Sequence, residues 1–231
     1  TVLGTESKRV AFMAKGSSMS AQNITDYATD PLLVIKRKVY SEDKGKKVWE
    51  TYRTVDDWGD VDSAESILLA EGQTGVILPT GDEEAGIVLD LEPGNYTFTV
   101  SSPTDSGIKQ AIVEAYEIPS ENEVSRFLGI STRGPISSDK MLYGGLTVLG
   151  TESKRVAFMA KGSSLPQNIT DYATDPLLVI SRKVYSEEKG KKVWETYRTV
   201  DNWGDVDSTE SILLAEGQTG VILPTGDEEA G

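Results

Sequence analysis

The stretch LLVIKRKVYSEDKGKKVWETYRT, residues 32–54, decides the fold class. Its two arms, Leu32–Tyr40 and Lys47–Thr54, are rich in Val, Ile, Tyr and Thr, residues that suit a pleated, half-buried surface. Between them Ser41-Glu42-Asp43-Lys44-Gly45 is charged and ends in glycine, so the whole reads as a β-hairpin. Outward from it, Val10–Lys15, Gly86–Leu91, Tyr96–Ser101, Ile108–Ile118 and Phe127–Ile130 are strand-like as well. Glu92-Pro93-Gly94-Asn95 is a turn, and one short helix is predicted over Ser63–Ala70, with Asp62 as N-cap and Gly72 near its end. Short strands, many turns and little helix predict an all-β fold. The expected architecture is an antiparallel β-sandwich, Ig-like or jelly-roll-like, with one short helix per repeat.

The hairpin occurs twice. Residues 1–18, TVLGTESKRVAFMAKGSS, recur unchanged at 147–164, and the match resumes from Gln22/Gln167 to Gly86/Gly231. Four positions differ in that second stretch: Lys36/Ser181, Asp43/Glu188, Asp57/Asn202 and Ala64/Thr209. Met19-Ser20-Ala21 is replaced by Leu165-Pro166, which leaves 79 of the 85 residues of the second copy identical. The period, 145–146 residues, is the size of a whole domain rather than of a solenoid repeat. The 231 residues are therefore one period plus a remainder of 85. The polar, proline-containing stretch 119–124 is the expected linker. It gives a first repeat, 1–118, lacking N-terminal strands held at 125–146, and a second, 125–231, lacking C-terminal strands held at 87–118. Because the chain does not begin with Met, it reads as a processed product or a segment of something longer.

Composition removes several function classes. There is no Cys and no His, hence no disulfide framework, no thiolate nucleophile, no Cys/His zinc site and no Ser-His-Asp triad. A net charge of −14 is wrong for a nucleic-acid partner, whose phosphates demand clustered cations. No apolar run approaches the ~18 residues needed to span a membrane as a helix. Acidic residues are plentiful, but no pair is singled out for glycosidase-like acid/base work. The expectation is a protein that is not an enzyme and needs no cofactor, with structural Ca²⁺ as the one candidate ion.

FLGISTRG (127–134), MLYGGL (141–146) and KRV (154–156) resemble the start of a tandem-repeat domain common in large secreted proteins of environmental bacteria such as Verrucomicrobia. Its further landmarks are similar to DPLLV (175–179), VDNW (200–203), LEPGNYT (91–97) and GIKQAIVEAYE (107–117), and its ending looks like the pre-peptidase C-terminal β-sandwich. The resemblance implies a non-catalytic, extracellular or cell-surface module and brings no catalytic residues. The hairpin here is longer and more charged than that family's pattern.

Three groups are candidate sites. The turn with Asp56, Asp57, Asp60 and Asp62, repeated with Asp201, Asp205 and Asp207, offers oxygen ligands for Ca²⁺, or is simply a turn leading into a helix cap. Trp49 and Trp58, with Trp194 and Trp203 in the second copy, stack on sugar rings if exposed, or pack in a core or interface. Strict alternation puts Trp49 and Tyr52 on opposite faces of their strand. Asn23, Asn95 and Asn168 fit the N-x-[ST] glycosylation sequon. In addition, Lys36, Arg37, Lys38, Lys44, Lys46 and Lys47 make a basic hairpin on an acidic chain, either a solvated face or a match for an acidic stretch of a neighbour such as Asp82-Glu83-Glu84.

The reading that follows is a structural segment of an extracellular fibre or long surface protein. It is built from near-identical repeats and completed by neighbouring repeats or by strand exchange between chains. The alternative is an adhesin or carbohydrate-binding repeat of a larger secreted protein, with glycans as partners.

Overall fold

A computed structural model describes residues 1–59, 79, 81–107, 109–118, 126–127, 132, 134, 136, 141–148, 156–163, 165 and 168–201. The predicted helix at Ser63–Ala70 and the linker 119–124 lie outside them. The chain divides into two compact units, Thr1–Ile130 and Ser131–Gly231.

Ten strands are defined among the described residues: β1 (Val2–Leu3), β2 (Lys8–Lys15), β3 (Leu32–Ser41), β4 (Lys46–Val55), β5 (Ala85–Leu91), β6 (Tyr96–Ser101), β7 (Ile112–Glu117), β8 (Arg126–Phe127), β9 (Leu178–Ser186) and β10 (Lys191–Val200). All their pairings are antiparallel. The described helix is a single 3₁₀ segment, Ser17–Gln22. The protein is thus all-β among its described residues.

In the first unit the strands form two three-stranded sheets, ordered β5-β2-β7 and β4-β3-β6, and a two-stranded pair β1-β8. The chain passes repeatedly between the sheets. The β5–β6 connection through Pro93-Gly94 is one such crossing, and β1 clamps it by reciprocal bonds between Val2 and Gly94, both 2.9 Å. Strand β2 is central, and its apolar run VAFMA is buried on both faces. One face carries Val10, Phe12 and Ala14 into a cluster with Leu33, Ile35 and Val55 of the other sheet and Ile87 and Leu91 of β5. Phe12 meets Phe98 edge-on at 5.3 Å. On the opposite face Ala11 packs with Ile118, Val88 and Tyr116. Burying a side chain such as Phe12 contributes about 2–3 kcal/mol, so β2 is the energetic axis of the unit.

Strand β2 begins two residues earlier than its apolar run suggests, at Lys8. This lysine lies on the same face as Val10 and Phe12 and is only 2% exposed. Its ammonium is paired with Glu117 at 2.5 Å, and at the other end of the strand Lys15 pairs with Glu114 at 2.6 Å. These two ion pairs bracket the β2–β7 ladder, in which Val10 opposes Glu117 and Phe12 opposes Ala115. Removing one partner strands a desolvated charge, whereas replacing both by apolar groups removes the penalty. Glu117→Ala is therefore expected to lower stability by about 2 kcal/mol, discounted because Glu117 is partly exposed. The double variant Lys8→Met/Glu117→Leu should recover most of that loss in urea titrations.

In the second unit β9 and β10 rebuild the hairpin in the register of β3 and β4. Leu178 opposes Val200 as Leu33 opposes Val55. Both turns close on a glycine in the left-handed region, Gly45 at φ 57° and Gly190 at φ 58°, as the loop sequence demands. Both hairpins also carry an irregularity at the same place, skipping Tyr52 in one and Tyr197 in the other.

Candidate functional site

The irregularity at Tyr52 is a β-bulge, with Tyr52 and Arg53 sharing the place opposite Ile35. It decides which aromatics face where. Tyr52 turns onto the core cluster and meets Tyr96 edge-on at 6.0 Å, while Arg53 stacks over the Tyr52 ring at 4.9 Å. Trp49 opposes Lys38 on the outer face, with the ammonium 5.6 Å from its ring centroid. Trp49 is 46% exposed, and Tyr40 beside it is exposed too. The second copy repeats this: Trp194 is exposed beneath Lys183 at 5.8 Å, next to exposed Tyr185. The hairpin thus presents an outer stripe of aromatic rings interleaved with lysines, one ring face taken by a cation. Trp49→Ala should lower stability by only about 1 kcal/mol, because the ring is half exposed and is covered by Lys38 rather than by the core. Tyr52→Ala should lower it by about 3 kcal/mol, since it empties a packed site. Thermal unfolding of the two variants checks the assignment of faces.

Trp58 behaves differently. It is half-buried, its indole N–H donates to the Gly81 carbonyl at 3.2 Å, and its peptide N–H donates to the Glu84 backbone carbonyl at 2.8 Å. Trp203 lies outside the described residues. Of the aspartates in the turn, Asp56 and Asp201 are exposed and Asp57 is half-buried, while Asp60, Asp62, Asp205 and Asp207 fall outside the described residues. Among the described residues no group of three or more carboxylates is placed to hold a metal ion.

Glu84, which in sequence merely ends an acidic run, is a structural hub. Its carboxylate is fully buried and accepts the backbone N–H groups of Gly16 (2.6 Å), Ser18 (2.9 Å) and Gly81 (3.1 Å), together with the Ser18 hydroxyl. Burial by itself pushes this carboxyl up, but the Ser18 hydroxyl and the converging N–H groups outweigh it and hold the group below the usual glutamate range. Glu84 is therefore engaged internally, and only Asp82 and Glu83 of that run are exposed to a neighbour. Gly16, which donates to Glu84, also lies against the Ala28 backbone, where a Cβ would fall 1.8 Å from the carbonyl oxygen. Ala28 in turn donates to Gln110 at 2.7 Å, so the end of β2, the 3₁₀ segment and the strand-entry loops meet at this point. The second copy keeps the contact: a Cβ on Gly162 would fall 1.8 Å from the Ala173 oxygen. The hub has no local signature, since Gly16 and Ser18, which supply most of its donors, stand 68 and 66 residues away in sequence.

A shallow open depression is lined by Thr5, Glu6, Ser7, Asp90, Glu92 and Pro93. Two of its carboxylates are committed to guanidinium groups, Asp90 to Arg9 at 2.9 Å and Glu92 to Arg37 at 2.8 Å. Arg9 holds the Asp90 carboxyl below its ordinary range. The sequon residues Asn23, Asn95 and Asn168 are all exposed. Asn23 is in the left-handed region at φ 63° as the cap of the 3₁₀ segment, and the Asn95 side chain accepts the Thr1 hydroxyl at 2.8 Å. Among the described residues no helix is long and apolar enough to cross a membrane.

No protein-family model matches this chain, and neither the curated proteins nor the solved structures yield a match.

Proposed function

We propose that the chain is a structural segment of an extracellular fibre or long surface protein, assembled from near-identical β-sandwich repeats that neighbouring repeats complete. The observation that carries this reading is duplication at high fidelity. The second copy is identical at 79 of 85 positions, and the hairpin recurs with the same register, the same bulge and the same glycine turn. Near-identical units give near-identical junctions, and a junction repeated without closure propagates as a fibre. The two facing three-stranded sheets with one shared apolar cluster support the sandwich as the repeating shape. Sedimentation of the purified chain tests the reading. Association that grows with concentration is expected, and a single monomeric boundary throughout would contradict it.

The exposed Trp49–Tyr40 and Trp194–Tyr185 stripes favour one second reading, an adhesin or carbohydrate-binding repeat. Binding to a glycan array that is lost in the Trp49→Ala/Trp194→Ala variant would support it.

A further inference from the structure

Charge is segregated along this chain. The hairpin 32–55 carries seven Lys and Arg against three Asp and Glu, and its copy 177–200 carries six against three, although the whole chain stands at −14. Strand register then sorts the charges by face. Leu33 and Ile35 of β3 enter the core, so Lys36, Lys38 and Tyr40 stand on the outer face. Across the ladder Trp49 opposes Lys38, Lys47 opposes Tyr40 and Thr51 opposes Lys36, and on the β6 side Thr97 and Thr99 continue the same face. Rings and ammonium groups thus alternate as on a checkerboard. Glu50, the one carboxylate in β3, β4 and β6, opposes Arg37 on the other face. Arg37 is paired with Glu92, but among the described residues none of Lys36, Lys38 and Lys47 is paired with a carboxylate. The second hairpin repeats the arrangement, with Lys183 opposite Trp194 and Lys192 opposite Tyr185. Lysines that guard a sheet against unwanted pairing belong on its edge strands, yet β3 is the middle strand of its sheet. Lys36 and Lys38 also stand about 7 Å apart along one strand and repel each other.

We propose that this outer face binds an acidic polysaccharide, a sugar chain bearing carboxylate or sulfate groups. The inference rests on the carbohydrate-binding reading and names the ligand of that same site. The exposed parts of the Trp49 and Tyr40 rings offer apolar surface to the C–H faces of sugars, and the ammonium opposite each ring takes an acid group. A bound polyanion relieves the repulsion among the three lysines, so the face is complementary to it where the rest of the chain is not. Alternating rings and cations suit a polymer that repeats an apolar face and an anion. Duplex DNA places a charge every ~1.7 Å, more than three ammonium groups on an acidic chain offset. An acidic peptide engages the lysines and leaves the rings without a partner.

Calorimetric titration of the full chain tests this with two acidic sugars, oligogalacturonate and dextran sulfate, each beside its uncharged counterpart, the methyl-esterified oligogalacturonate and plain dextran. At least one acidic sugar should bind about tenfold tighter than its counterpart, and the tighter of the two identifies the acid group. Lys38→Gln/Lys183→Gln should weaken that binding about fivefold, the upper range for an exposed charge pair, and Lys38→Arg/Lys183→Arg should retain it. Lys109→Glu makes the same total change of charge away from the hairpin and should leave binding as it was. Trp49→Ala/Trp194→Ala should cost about tenfold, with circular dichroism showing all variants folded. Equal binding to charged and uncharged sugars would overturn the proposal and leave the carbohydrate reading standing. No binding to any of the four would remove both. Poly-glutamate or a single-stranded oligonucleotide binding as tightly as the acidic sugars would also overturn it, since the face would then select charge alone.

Discussion

Replacing Gly16 with alanine is expected to destabilise the first unit by ~4 kcal/mol, near the top of the range for single substitutions. The side chain added is one methyl group, and its size is not the reason. The new Cβ would sit 1.8 Å from the Ala28 carbonyl oxygen and 2.9 Å from its carbon, both backbone atoms. A flexible side chain could swing away, but the Ala28 backbone is held on both sides, its own N–H donating to the Gln110 carbonyl and the Thr29 N–H of the next peptide to Asp105. Relief therefore has to come from moving β2 or the 26–28 segment, which disturbs the Gly16–Glu84 bond at the same time. Overpacking of this kind exceeds the usual 1–3 kcal/mol because neither side can yield. Gly162→Ala should be as damaging locally, since Ala173 stands at the same distance. Urea unfolding followed by circular dichroism gives the measurement. A loss below about 1 kcal/mol would show that the close approach is not real.

Glu84→Ala is expected to lower stability by ~3 kcal/mol, because the buried Gly16 N–H, the partly buried Ser18 and Gly81 N–H groups and a hydroxyl lose a charged acceptor together. Glu84→Gln should do nearly as much harm, since its amide keeps one acceptor oxygen and points a donor at donors. The same group sets a pH dependence. Its folded-state value lies below the ordinary 4.5, so the deprotonated form is favoured in the folded protein. The stability it contributes is therefore complete above pH 4.5 and is lost as pH falls from there through the depressed folded value. The wild-type chain should lose stability over that window more steeply than Glu84→Gln, which lacks the group. Equal acid sensitivity in the two would place the pH-dependent carboxylate elsewhere.

The sequence carried the hairpin in full. Alternation over Leu32–Thr54 and the Gly45 turn located both strands to within a residue, and the second copy followed from identity. It did not carry the bulge, because the skipped Tyr52 is fixed by pairing with β3 and not by its neighbours in sequence. Strict alternation set Trp49 and Tyr52 on opposite faces, and the bulge is what lets Tyr52 reach the core while Trp49 stays outside. Glu84 was illegible for a related reason. Within Asp82-Glu83-Glu84 the three carboxylates look alike, and only the return of Gly16 and Ser18 beside the last one separates it. Lys8 was the nearer miss, since its spacing of two from Val10 and four from Phe12 already placed it on the inward face.

Negative-stain electron microscopy of the native material tests the central claim most directly. Filaments are expected, with an axial repeat of one domain, on the order of 35 Å for strands of this length. A field of separate, uniform particles the size of one chain would contradict it.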